Sequence, residues 1–235
     1  MVVGAMAPDF HYYFYLAPDA EVSHSLPGTF FYCLPAGLLV LWIFHALLKR
    51  PLISLFPQSQ AQKLMALSGE FKFTPLSRTL LIVVSLLVGT LTHLLWDSFT
   101  HSGGWFVQEI PFLQTVVLPQ IFRGRAVFSV LQHSSTVLGM AALLVSYWVW
   151  LRQAPSLALP PEMQLNRATR LWWLATMAVI TLTLSGLYGW QKFSIYQRTS
   201  ALVVGFAIGL ITVTFAQLVV FSLWWRWTAA KRAGA

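Results

Sequence analysis

"ALVVGFAIGLITVTFAQLVVFSLWW", residues 201–225, runs without one charged side chain. As a helix it would be about 37 Å long at 1.5 Å per residue, enough to cross the ~30 Å hydrocarbon core of a bilayer. Four other blocks have the same character: 26–48, 79–96, 127–151 and 171–190. The composition agrees, with 57% hydrophobic and 9% charged residues, where an ordinary soluble domain is roughly 25% charged. The expected fold is all-α, a polytopic membrane helix bundle of five transmembrane helices, with residues 1–235 forming a single transmembrane helical domain. Pro27 and Pro35 lie in the first block, and Pro35 is expected to kink it, because proline removes a backbone donor and crowds the preceding turn. Trp96, Trp148, Trp150, Tyr188, Trp190, Trp224 and Trp225 stand at block ends, as in interfacial aromatic belts.

The net charge of +8 would suit nucleic acid, but the basic residues sit beside the apolar blocks and are better read as topology signals. Residues 1–48 contain no Lys or Arg, whereas the next connection carries Lys49, Arg50, Lys63, Lys72 and Arg78. Followed along the chain, one side of the membrane holds 11 basic residues and the other 4. The richer side should be cytoplasmic, which places the N-terminus outside and the C-terminus inside. Residues 1–16 lack the basic start, apolar run and small-residue cleavage site of a secretory signal and are expected to be retained. The lone Cys33 excludes an intramolecular disulfide and a cysteine-rich metal site. "AQKLMAL" (61–67) predicts a short interfacial helix in the first inner loop. Gly103-Gly104, Pro111 and Pro119 predict an irregular outer connection over the mouth of the bundle.

Ionisable groups in or beside a span are expensive and point to function. In "HLLWDSFTH" (93–101), His93 and Asp97 are four apart and therefore share a helix face. His101 is about 12 Å further along a continuous helix. It can join His93 on one ion only if the helix stops near Ser98 and the chain folds back; otherwise Asp97 bridges two ions. The charge count puts these residues at the outer end of their span. "APDFHYYF" and "HSLPG", with Asp9, His11 and His24, fall on the same side, as does His133. His45 lies at the opposite end beside Lys49 and Arg50, where an interfacial solvated histidine is a sufficient reading.

Each group has a plain alternative. Asp9 can be a turn or cap residue after Pro8, and the His93–Asp97 couple can be a hydrogen-bonded fastener between helices. Independent structural uses have no reason to gather on one side of the membrane. If a metal is held there, imidazole and carboxylate without thiolate suit a divalent ion, zinc first, with manganese or iron as alternatives. An open coordination position would then make a hydrolase, acting at a depth where lipid headgroups offer scissile bonds. Competing readings are a transporter or proton-coupled carrier using His93, Asp97 and His133, a haem protein with His93 and His133 as axial ligands, and a structural membrane protein without catalysis. The carrier reading is weakened by the lack of acids in the inner half of every span and by the absence of a repeat.

The stretches "VVGAMAPDFHYYFYL" (2–16), "HSLPGTFFYCLPAGLLVLWIFHALLKRPL" (24–52) and "HLLWDSFTHSGGW" (93–105) resemble the bacterial integral membrane family called domain of unknown function 4184, over the whole chain. The pattern of an "APDF" acid, an "HS" step and an "HLLWD" helix is more weakly similar to membrane-bound metal-dependent hydrolases. That resemblance implies Asp9, His24, His93 and Asp97 as metal ligands, with His101 added, in a multi-pass protein of the bacterial cytoplasmic (inner) membrane. It supplies no substrate, and whether His11 and His133 join the site is left open. Family members carry a further N-terminal segment with a Ser-His step before the acid. This sequence begins almost at that point, so the expectation is either a misassigned start or a member that lacks part of the presumed site.

Overall fold

The computed structural model describes residues 1–17, 21–117 and 124–233. Among these the elements are α1 (Val2–Met6), α2 (Phe10–Tyr15), α3 (Leu26–Ser54), α4 (Gln58–Leu64), α5 (Leu76–Thr100), α6 (Trp105–Glu109), α7 (Pro111–Gln114), α8 (Val127–Gln153), α9 (Arg167–Tyr196) and α10 (Thr199–Ala233). An isolated antiparallel bridge, Val116 to Ala126, is the described extended pairing. The helices α3, α5, α8, α9 and α10 are long and apolar enough to cross a membrane, so the chain is a multi-pass helical membrane protein. They overrun the apolar blocks of the sequence, in α9 with a polar cap at its start. The Asn166 side chain accepts from the Thr169 N–H at 2.7 Å and starts α9 before its first tryptophans.

Pro35 does not break α3. The helix widens to π geometry over Thr29–Cys33, just ahead of the proline, and again over Phe44–Leu48, and a wide turn is a known way to keep a helix running past such a defect. The connection after α5 is more ordered than glycines and prolines suggested, since it contains α6 and α7. Pro119 and Arg123 lie outside the described residues. The short α4 forms where expected, continued by a 3-10 turn at Met65–Leu67.

Large apolar side chains face outward along the spans, including Val137, Leu138, Met140, Leu143 and Leu144 of α8. In water such a surface would be an aggregation hazard, but against acyl chains it has no hydrophobic penalty. Helix association must then come from close packing and interhelical hydrogen bonds. The longest pairing, α9 with α10, shows both. "SGLYG" (185–189) faces "GFAIG" (205–209): a Cβ added at Gly205 would stand 3.1 Å from the Gly189 Cα, and one at Gly209 would stand 3.0 Å from the Ser185 Cα. Lower in the pair, the Gln217 amide donates to the Thr181 hydroxyl at 2.6 Å and the Met177 carbonyl at 3.3 Å. Gln217→Leu is expected to cost about 1 kcal/mol, read as a lower unfolding midpoint in mixed micelles.

At the end of the bundle where α5 begins, Ile53, Leu55, Ala61, Leu159, Met163, Phe221 and Trp225 form a buried cluster. Basic side chains gather around it and donate to carbonyls: Lys49 to Gly69 at 2.8 Å, Lys63 to Leu151 at 2.6 Å, Arg170 to Phe56 at 3.2 Å, and Arg226 to Ala46. His45 is there too, stacked flat on Phe71 with ring centroids 3.9 Å apart, which shields it from solvent more than its neighbours in sequence suggested.

Sequence patterning assigned no helix before residue 26, yet α1 lies directly along α5. A Cβ at Gly4 would come within 2.2 Å of the Leu86 carbonyl oxygen, and one at Gly89 within 2.3 Å of the Met1 carbonyl oxygen. Only hydrogen at both Cα positions lets the two backbones approach so closely. The Thr90 hydroxyl, in turn, donates to the Gly4 carbonyl at 3.1 Å. The two helices run in the same direction: Met1 lies beside the middle of α5, and Asp9 reaches its last turns.

Candidate metal centre

Three segments meet at the far end of α5. The first is the α1–α2 junction. Asp9 lies in the turn after Pro8 and occupies the N-cap position of α2, but its side chain makes no cap hydrogen bond. Its carboxylate instead points to histidines, with Oδ1 3.5 Å from His24 Nε2 and 3.7 Å from His93 Nε2. The second segment is the entry to α3. Ser25 caps that helix, its Oγ accepting from the Gly28 N–H at 3.0 Å. Gly28 packs so tightly on the Val22 carbonyl that no side chain would fit. His24, immediately before the cap, is thereby held facing α5, with Nδ1 3.2 Å from the Ser23 hydroxyl.

The third segment is α5 itself. Asp97 Oδ2 is 3.1 Å from His93 Nε2 and 3.5 Å from His24 Nε2. The four residues thus alternate nitrogen and oxygen around a ring with edges of 3.1, 3.5, 3.5 and 3.7 Å. A tetrahedral ion with nitrogen and oxygen ligands at 2.0–2.2 Å sets neighbouring donor atoms about 3.3–3.6 Å apart. The four edges lie near that spacing, while Asp97 stands outside the set of donor atoms that are all within 4.8 Å of one another. Asp9, His24 and His93 form the tightest set, each offering one atom within 4.8 Å of the others, and Asp97 joins it through both histidines.

Two protonated histidines paired with two aspartates would give similar distances. The geometry at His93 bears on the choice between them. Its Nδ1 donates to the Ala5 carbonyl at 2.7 Å, which fixes the ring and leaves Nε2 to face the carboxylates. That Nε2 is buried without a hydrogen-bond partner, because the close Asp97 oxygen is not aligned to receive a proton from it. A protonated Nε2 would be a buried orphan donor, which is costly. An unprotonated Nε2 is a lone pair aimed at a ring of acceptors, which suits a cation. A backbone carbonyl fixing the second nitrogen is the usual support of a metal-binding histidine.

His101 has a different place. α5 continues through Thr100, and His101 caps it in extended geometry with its N–H on the Asp97 carbonyl at 3.0 Å. The chain does not fold back toward His93. His101 Nδ1 lies 3.4 Å from the other Asp97 oxygen, Oδ1, and Gln132 of α8 donates to His101 Nε2 at 3.1 Å. It stands behind the carboxylate, outside the ring. His11 is not drawn in; it stacks on Tyr15 and leans on Tyr32, with ring centroids 4.4 and 5.4 Å away. Nor is His133, whose Nδ1 donates to the Ser129 carbonyl of its own helix at 2.6 Å.

Three participants were not singled out in the sequence: Gln132, the Ala5 carbonyl, and the aromatic pair Tyr12 and Tyr13. Tyr12 sits 5.9 Å from the His24 ring. Burial, and after it the Asp9 carboxylate, raise the Tyr13 phenol above its ordinary value of 10.0, so it stays neutral. The one signal available for Tyr12 and Tyr13 was their position directly after the acid in "APDFHYYF". The Ala5 carbonyl carries no residue-type signal at all.

A family model described as a domain of unknown function, DUF4184, matches residues 1–223. No curated protein and no solved structure matches the chain.

Proposed function

The chain belongs to the DUF4184 family, and on that premise we propose that it is a metal-dependent hydrolase of the bacterial cytoplasmic membrane. Its single divalent ion, of the zinc type, would be held by Asp9, His24, His93 and Asp97, with His101 behind Asp97. The observation that carries this reading is the buried His93 Nε2, which makes no aligned hydrogen bond and faces two aspartates, while Nδ1 is fixed on Ala5. The charge of the set agrees with it: two carboxylates and two neutral imidazoles leave two negative charges for a divalent cation to balance.

When bound, such an ion polarises the bond to be cleaved and makes water a nucleophile near neutral pH. The protein's own part is to fix the donors and admit the substrate. Asp9 is one-third exposed and His101 about half, so the open side of the ring lies over these two residues. Lys49, Lys63, Arg170 and Arg226 surround the opposite end of the bundle. By the positive-inside rule this supports a site at the outer face. The nearest hydrolysable bonds there are those of lipid headgroups.

Protein purified in detergent and loaded with zinc, manganese or iron is expected to retain about one equivalent of one of them. It should hydrolyse a headgroup substrate in a chelator-sensitive way. Less than about 0.2 equivalents of any of these metals after loading would overturn the proposal.

A further inference from the structure

The start of α8 forms the remaining wall beside the candidate centre. Arg125, two residues before the helix, and Ser129 and His133 on its first turns recur at four-residue intervals and so make one stripe. Together with Val130, Ser134, Val137 and Leu138 they line a cavity of about 410 Å³. Among the described residues no Asp or Glu lines it. The Arg125 guanidinium touches only the Ser129 hydroxyl, at 3.4 Å, among the described residues. His133 uses Nδ1 on the Ser129 carbonyl and has Nε2 left for an occupant. The groove is thus graded along the helix, cationic and hydroxylic at its upper end and aliphatic below, with Val137 and Leu138 about two-thirds exposed.

From Arg125 to Leu138 is about 20 Å at 1.5 Å per residue, slightly more than the ~15 Å half-thickness of the hydrocarbon core. A phosphate at the top and an acyl chain below would fill it. We infer that this groove holds an anionic phospholipid, its phosphate on Arg125, Ser129 and His133 and one chain against Val130, Val137 and Leu138, and that this lipid is the substrate class of the neighbouring centre. A free phosphate would use the top and leave the aliphatic part empty, so the lipid is the occupant that matches the whole groove.

The link to the centre is short. Gln132, next to His133, is hydrogen-bonded to His101, and His101 is 3.4 Å from Asp97. A headgroup phosphodiester anchored on Arg125 and His133 would reach the ion ligands past Gln132 and His101. In its hydrolysis the water oxygen bonds to phosphorus as the bond to the headgroup oxygen breaks. One water proton goes to the departing alcohol and the other stays with the phosphate product. This assignment of the lipid as substrate rests on the hydrolase reading, whereas the binding itself does not.

The test uses full-length protein exchanged into micelles of equal phosphatidylglycerol and phosphatidylcholine, followed by native mass spectrometry of retained lipid. Wild type is expected to retain phosphatidylglycerol with at least about fivefold preference, the size that one basic residue contributes near an anionic surface. Arg125→Gln with His133→Asn should abolish the preference at unchanged metal content. Val137→Trp, which fills the aliphatic part and leaves the charges in place, should reduce total retention. Equal retention of both lipids by wild type, displacement by excess inorganic phosphate, or an unchanged preference in the double variant would each overturn the groove. A preference that depends on Arg125 in protein that takes up no metal would keep the lipid site and overturn its role as substrate site.

Discussion

His93→Ala is expected to empty the centre, whereas His101→Ala should leave it filled with an affinity lower by about 10- to 100-fold. Both residues are histidines of one nine-residue stretch, and both touch Asp97, at 3.1 and 3.4 Å. They differ in what else they do. His93 brings a buried ring nitrogen to the ring, between Asp9 and Asp97. His101 is on the far oxygen of Asp97 and is tied back to Gln132. Loss of a ligand leaves an incomplete shell with two carboxylates repelling each other. Loss of a partner behind a ligand costs one to two orders of magnitude in affinity. Chelator competition and metal content after gel filtration would separate them, with His24→Ala as a second ligand variant that spares the His93 bond to Ala5. Equal affinities in His93→Ala and His101→Ala, or a full equivalent of metal in His93→Ala, would mean that the ring is a fastener between helices.

The spans were legible because a bilayer enforces a simple rule: about 20 apolar residues and few charges. Residues 201–225 meet it unaided, and α10 contains them. The convergence of Asp9, His24, His93 and Asp97 was legible for a related reason. Alternation of spans across the membrane sorts residues into two layers, and few ionisable groups occur in either. What patterning could not supply was position within the layer. Whether His101 joins His93 depended on where α5 stops, and a continuous helix through Thr100 was not encoded in any periodicity, since Ser98, Phe99 and Thr100 are neutral to helix breaking. The α1 helix was invisible for the opposite reason. Five residues are too few to show an apolar period or a stable isolated helix, and α1 holds its form by lying on α5. Its only mark in the sequence was Gly4, which becomes meaningful once Gly89 is seen opposite it.

That pairing gives the other large expected effect. On helix propensity alone, Gly89→Ala inside α5 should stabilise the protein by up to about 1 kcal/mol. The new Cβ, however, would meet the Met1 carbonyl oxygen at 2.3 Å and the Ala5 nitrogen at 2.7 Å, both backbone atoms. No rotamer change relieves such contacts, so α1 must move away by about 1 Å to regain ordinary contact distances. Asp9 follows α1 into the centre, and the Ala5 carbonyl that fixes His93 belongs to the same helix. Ligand positions tolerate errors of only about 0.2 Å. Gly89→Ala should therefore weaken metal binding by at least about tenfold and lower the unfolding midpoint, although every ligand is intact and the substituted Cα carries no polar group. Gly139→Ala in α8 and Gly186→Ala in α9 provide the contrast: among the described residues no atom beyond the local helix backbone lies within 4 Å of a Cβ at either place, so propensity alone acts and the midpoint should rise or hold, with metal affinity unchanged. If Gly89→Ala behaves like these two, the close seating of α1 does not position Asp9, and the ring loses the segment that closes it.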